Sequence, residues 1–177
     1  CSGFASAVPI ACNSDALGKI TANAGCQVGT TNNDSQSQAN TDEMFGFTDW
    51  TFAQRDNDLD GTDSTSVDIG FSIDGDLQSG EWEIDNIWST YGDAMIVIKG
   101  GNGNNTNENY LAYLLVNGDI DGEYDTPFFN VNNGNAKNIS HMSIYVRDGA
   151  TVPEPATIAL LGLGLAGLGF ARRKTAS

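Results

Sequence analysis

The stretch RDNDLDGTD, residues 55–63, carries the most specific chemical spacing in the chain. Asp56, Asp58 and Asp60 precede Gly61 in the D-x-D-x-D-G order of a calcium loop, where alternate carboxylates converge on one cation and glycine permits the turn. The twelfth loop position holds Val67 instead of a bidentate Glu, Asp68 follows one place later, and no helical pattern flanks the run, so it is not an EF-hand. Two readings stay open, a calcium-binding β-loop and a solvated acidic turn. NGDIDGEYD, residues 117–125, is a weaker echo with Asp119, Asp121 and Gly122.

Other candidates are thinner. Trp50, Trp82 and Trp88, with Tyr91, could form a sugar-stacking platform like those of carbohydrate-binding modules, with exopolysaccharide as the partner; aromatic residues at strand positions equally build cores. The single histidine, His141, alternates with Ser143 and Tyr145 on a face expected to be wet or half-wet, a position that suits a surface residue as well as a catalyst. A hydrolase would need two carboxylates facing each other in a cleft, and with 22 acidic residues ahead of the tail signal their abundance singles out no pair. The reading is a body without catalytic residues and without a required cofactor, calcium being the one ion its pattern suggests.

These residues sit among short aromatic and β-branched runs at 44–53, 67–73, 81–88, 94–99, 109–116, 122–129 and 139–147, each bounded by Gly, Asn, Asp or Pro. In VDIGFSI, Val67, Ile69, Phe71 and Ile73 alternate with polar or small residues, the period of a half-buried strand. Met142, Ile144 and Val146 alternate in the same way with His141, Ser143, Tyr145 and Arg147, while AMIVIK and NYLAYLLV are continuously apolar, as in central strands covered on both sides. The pattern predicts an all-β, antiparallel two-sheet sandwich, jelly-roll-like, over residues 44–149. Residues 8–43 are expected to form a disulfide loop and a polar arm, with compact structure starting only after residue 41.

The formal charge is −15, and setting aside the segment after Pro155 leaves 5 basic against 23 acidic residues, or −18. Phosphate backbones and anionic lipid surfaces repel such a body, which excludes nucleic acid as a partner. Three cysteines occur, all within the first 26 residues. Ala5-Ser6-Ala7 has the small-x-small form cut by signal peptidase, so residues 1–7 read as the remnant of a secretory signal peptide; the alternative makes Cys1 a lipidated first residue. Signal cleavage would leave Cys12 and Cys26 as a disulfide pair in an oxidising compartment.

The tail, residues 150–177, changes composition. Pro153-Glu154-Pro155 leads into an uncharged apolar run over 156–171, and Arg172, Arg173 and Lys174 follow. As a helix that run would be about 24 Å long, a short transmembrane segment whose basic flank stays in the cytoplasm and leaves the body outside. The order of the three parts resembles the PEP-CTERM sorting signal of Gram-negative bacteria that make exopolysaccharide. That resemblance implies a precursor held at the inner membrane, recognised and cut by the membrane enzyme exosortase at this signal, and passed on to the cell surface or extracellular matrix. The body resembles the uncharacterised bodies that precede such signals, and no activity travels with that likeness.

Overall fold

The computed structural model describes residues 9–101 and 109–149. Its strands are β1 (Ile10–Ala11), β2 (Asn23–Val28), β3 (Thr51–Asn57), β4 (Thr62–Thr65), β5 (Ser72–Gly75), β6 (Ser79–Glu83), β7 (Asp93–Gly100), β8 (Leu111–Leu115), β9 (Asp121–Asp125) and β10 (Ile139–Arg147). Two short helices, α1 (Ser14–Leu17) and α2 (Gln36–Thr41), flank β2. The strands form a seven-stranded sheet in the order β1-β2-β8-β7-β10-β3-β4 and a three-stranded sheet β5-β6-β9, with antiparallel neighbours throughout. The fold is the expected antiparallel two-sheet β protein. The C-terminal helix expected over 156–171 and the signal remnant over 1–7 lie outside the described residues, and no helix among the described residues is long and apolar enough to cross a membrane.

Alternation on the central strands produces two cores. Ala94, Ile96 and Ile98 of β7, Leu111, Tyr113 and Leu115 of β8, and Met142, Ile144 and Val146 of β10 meet Trp82 and Tyr124 of the small sheet. On the opposite face Met95, Val97, Tyr110, Ala112 and Tyr145 pack under Ala39, Met44 and Trp50, with Phe45 and Phe47 at the margin. Strands buried on both faces have no solvent side to mark with polar residues, hence the unbroken apolar runs of β7 and β8.

The second core corrects the expectation of a loose arm. GCQV lies in β2, which pairs with both β1 and β8, and 29–50 crosses the large sheet as its outer cover. Compact structure therefore starts well before residue 41. The face of β10 expected to be wet is for the same reason covered, and Ser143 and Tyr145 are fully buried. The VDIGFSI run is also corrected. Ile69 and Phe71 are buried as the alternation requires, but both N–H groups donate to Gln54 Oε1, at 2.9 and 3.0 Å, and the ladder begins only at Ser72. One side-chain amide replaces a neighbouring strand.

Candidate functional site

The acidic stretch 55–63 forms the turn between β3 and β4. Leu59 is sunk into the core, which sends Asp58 and Asp60 to the exposed surface, while Asp56 is fully buried. The Asp56 carboxylate accepts the N–H groups of Asp60, at 3.2 Å, and Gly61, at 3.2 and 3.3 Å to its two oxygens. Burial pushes its pKa up, and the two backbone donors offset this only in part. Asp63 is likewise engaged, Oδ2 accepting from Asn57 N at 2.6 Å. Asp56 is thus committed to the backbone of its own turn, with the charges of Asp63 and Asp60 adding to the upward push, and among the described residues no group of three His, Cys, Asp or Glu side chains is placed to hold a metal ion. The carboxylate order of a calcium loop serves here to close a backbone turn.

The tryptophans do not form a platform. Trp50 is fully buried under the arm, its Nε1 donating to the Met44 carbonyl at 3.0 Å, and Phe45 and Phe47 meet it edge-on. Trp82 lies between the sheets, across the large sheet from Trp50. Trp88 is half-buried at the edge of that inner core, donating to the Asp119 carbonyl at 2.8 Å. Core packing accounts for all three.

A polar junction that the sequence did not disclose fastens the arm to the sheet. Asp34 Oδ2 accepts from Arg55 Nη2 at 2.8 Å and pairs with His141 Nε2 at 2.7 Å, and the Tyr145 hydroxyl donates to the Asp34 carbonyl. Arg55 Nε donates to Ser143 Oγ at 2.8 Å, and Lys99 Nζ reaches the Asn32 carbonyl. Register explains the convergence: Arg55 stands opposite Ser143, and His141 opposite Lys99, on three adjacent strands. Burial pushes the Asp34 carboxyl up, but the His141 hydrogen bond and charge, with the charges of Arg55 and Lys99, outweigh it and hold it below the ordinary carboxylate range. A second carboxylate, Asp42, accepts from Thr30 N at 3.0 Å, Gln38 Nε2 at 2.7 Å and the Tyr110 hydroxyl at 2.7 Å. The only sequence signal for either junction was an aspartate in a run otherwise rich in Asn, Gln, Ser and Thr. Its cationic partners lie far along the chain.

Acidic residues also cover the outer face of the small sheet. Asp74, Glu81 and Glu123 stand in one cross-strand row, with Glu83 and Asp121 in the next, and they line a groove of about 500 Å³. All five project from one face of the sheet, and their number singles out no pair.

β10 ends at Arg147, whose Nε pairs with Asp49 Oδ1 at 2.9 Å, whose Nη1 pairs with Asp93, and whose guanidinium lies 3.7 Å from the centre of the Phe47 ring. Gly149 then packs against Gly92, where a side chain would collide with its backbone. Pro153, Glu154, Pro155, Arg172, Arg173 and Lys174 follow outside the described residues. Residues 151–174 match the family model described as the PEP-CTERM protein-sorting motif. The chain thus carries a PEP-CTERM sorting motif, a signal that implies export and exosortase as the processing partner. No curated protein and no solved structure matches the chain.

Proposed function

We propose that the chain is the precursor of a cell-surface or extracellular-matrix protein whose β body has no catalytic activity, needs no cofactor and is set free when exosortase cuts at the Pro153-Glu154-Pro155 signal. The observation that carries this reading is the sorting motif at 151–174, which begins within a few residues of the end of β10. The disulfide between Cys12 and Cys26 suits an exported body, since such bonds persist in oxidising compartments. A non-catalytic role is supported by the engagement of His141 with Asp34 and of Ser143 with Arg55, both as fastenings of the arm.

The test is the intact mass of the protein recovered from its native host. The extracellular form should lack the residues after about Pro155 and keep the Cys12–Cys26 bond. Glu154→Ala, or deletion of Arg172 to Lys174, should leave full-length precursor in the inner membrane. Recovery of Ser177 on extracellular material would overturn the reading.

A further inference from the structure

The place where the chain leaves the body constrains how the processing enzyme can approach it. Gly92 N–H donates to the Arg147 carbonyl at 3.1 Å, and with the Arg147 ion pairs this fixes the end of β10. Four residue steps separate Gly149 from Pro153, and an extended chain spans at most about 3.6 Å per step, so the motif begins within about 14 Å of Gly149. A body of roughly 140 residues has a radius of gyration of about 14 Å, so an enzyme engaging the motif is pressed against the body surface around Gly149. That surface includes the turn 116–120. Asn117 Nδ2 donates to the Gly92 carbonyl at 2.9 Å, which sets the turn beside the exit, and Trp88 Nε1 holds it from behind through the Asp119 carbonyl. Val116 and Ile120 on this turn are 39% and 36% exposed, two of the five large apolar side chains that the described surface leaves open.

We propose that the turn 116–120, presenting Val116 and Ile120 beside Gly149, is a docking surface for the processing enzyme, a second contact that acts together with the Pro-Glu-Pro signal. The proposal rests on the sorting function above. A flexible tether would remove the contact without touching either partner, and polar replacements would weaken it in place.

The experiment follows precursor cleavage in host membranes and in detergent micelles for the parent, for a precursor with a Gly-Ser insert of about ten residues between Gly149 and Ala150, and for Val116→Asn combined with Ile120→Asn. Both variants should be cleaved more slowly by about fivefold or more in both media, the loss expected for about 1 kcal/mol of contact. Because Val116 and Ile120 are only partly exposed, cleavage of the double variant is followed well below its own measured thermal melt, where it is folded. Parent-rate cleavage of either variant overturns the proposal, and so does slowing confined to membranes, which would give the turn to the lipid surface instead. Glu154→Ala serves as the control: its cleavage at the parent rate would overturn the sorting function itself, whereas a blocked control beside unaffected variants would sink the docking surface alone.

Discussion

His141 Nε2 stands 2.7 Å from Asp34 Oδ2 and joins the one imidazole of the chain, on β10, to an arm more than a hundred residues earlier in sequence. With Arg55 on the same oxygen, a single carboxylate ties the arm to the sheet above the second core. Asp34→Asn would leave Arg55 and His141 short of a charged acceptor in a largely buried site. The expected cost is about 2–3 kcal/mol, below the usual figure for a fully buried pair because Arg55 is partly open to water. Because the folded pKa of Asp34 is depressed, its contribution is present above the unfolded carboxylate value of about 4 and disappears as pH falls through the folded value. Stability measured by denaturant titration should therefore drop on acidification, and less steeply in Asp34→Asn. Equal slopes in the two proteins would show that the junction carries no such linkage.

The disulfide should matter in proportion to the loop it closes. Cys12 and Cys26 are 14 residues apart with Cα atoms at 5.3 Å, and Cys12 N also donates to the Cys26 carbonyl at 3.0 Å. In the chain-entropy model a loop of this size contributes about 3 kcal/mol. Cys12→Ser with Cys26→Ser should lower the melting temperature by about 10 °C, at roughly 3–4 °C per kcal/mol for a body of this size. Reduction of the parent should reproduce the shift. A melt insensitive to both would remove the bond from the account of stability.

What could be read from the sequence was the part governed by short-range periodicity. The last strand appeared with its final boundaries, Ile139 to Arg147, because the alternation of Met142, Ile144 and Val146 and the flanking turn residues agree. The arm could not be read this way. Its aspartates and amides look like loop residues until Arg55, Tyr110 and His141 are brought to them by strand pairing, and β2 forms from GCQV because β1 and β8 lie on either side. The tryptophans show the same limit, since burial between layers and exposure on a face share one alternation. The sorting signal was legible because it consists of local order, and its match over 151–174 agrees with that reading.

The acidic turn gives a sign opposite to that of Asp34. Burial raises the folded pKa of Asp56, so its contribution is present below the unfolded carboxylate pKa and is lost as pH rises through the folded value. Asp56→Asn keeps an acceptor for Asp60 and Gly61 and removes the buried charge. It should leave the body as stable as the parent or more stable at neutral pH, whereas Asp56→Ala, which leaves those donors unmet, should cost about 1–2 kcal/mol. Millimolar calcium should not raise the melting temperature of the body more than magnesium does, with or without Asp58→Asn and Asp60→Asn. A calcium-specific rise abolished by those two changes would restore the cation loop.

Gly122 and Trp82 test the inner core. They stand opposite each other on β9 and β6, and a Cβ built on Gly122 would lie 2.7 Å from Trp82 Nε1 and 2.6 Å from Thr21 Oγ1. The indole edge therefore occupies the space that a side chain at residue 122 would need. Gly122→Val should force the indole or Thr21 to move, at about 1–3 kcal/mol, and near-UV circular dichroism should report the displaced ring. The indole itself carries a second, opposing effect. Trp82 is 1% exposed and its Nε1 finds no hydrogen-bond partner among the described residues, a desolvation cost of about 1–3 kcal/mol. Trp82→Phe removes that unmet donor while leaving a smaller ring and a void, and the two terms oppose each other. The net change should stay within about 1 kcal/mol, much less than the usual loss on truncating a buried Trp. A loss of about 3 kcal/mol or more would mean that the void outweighs the unmet donor.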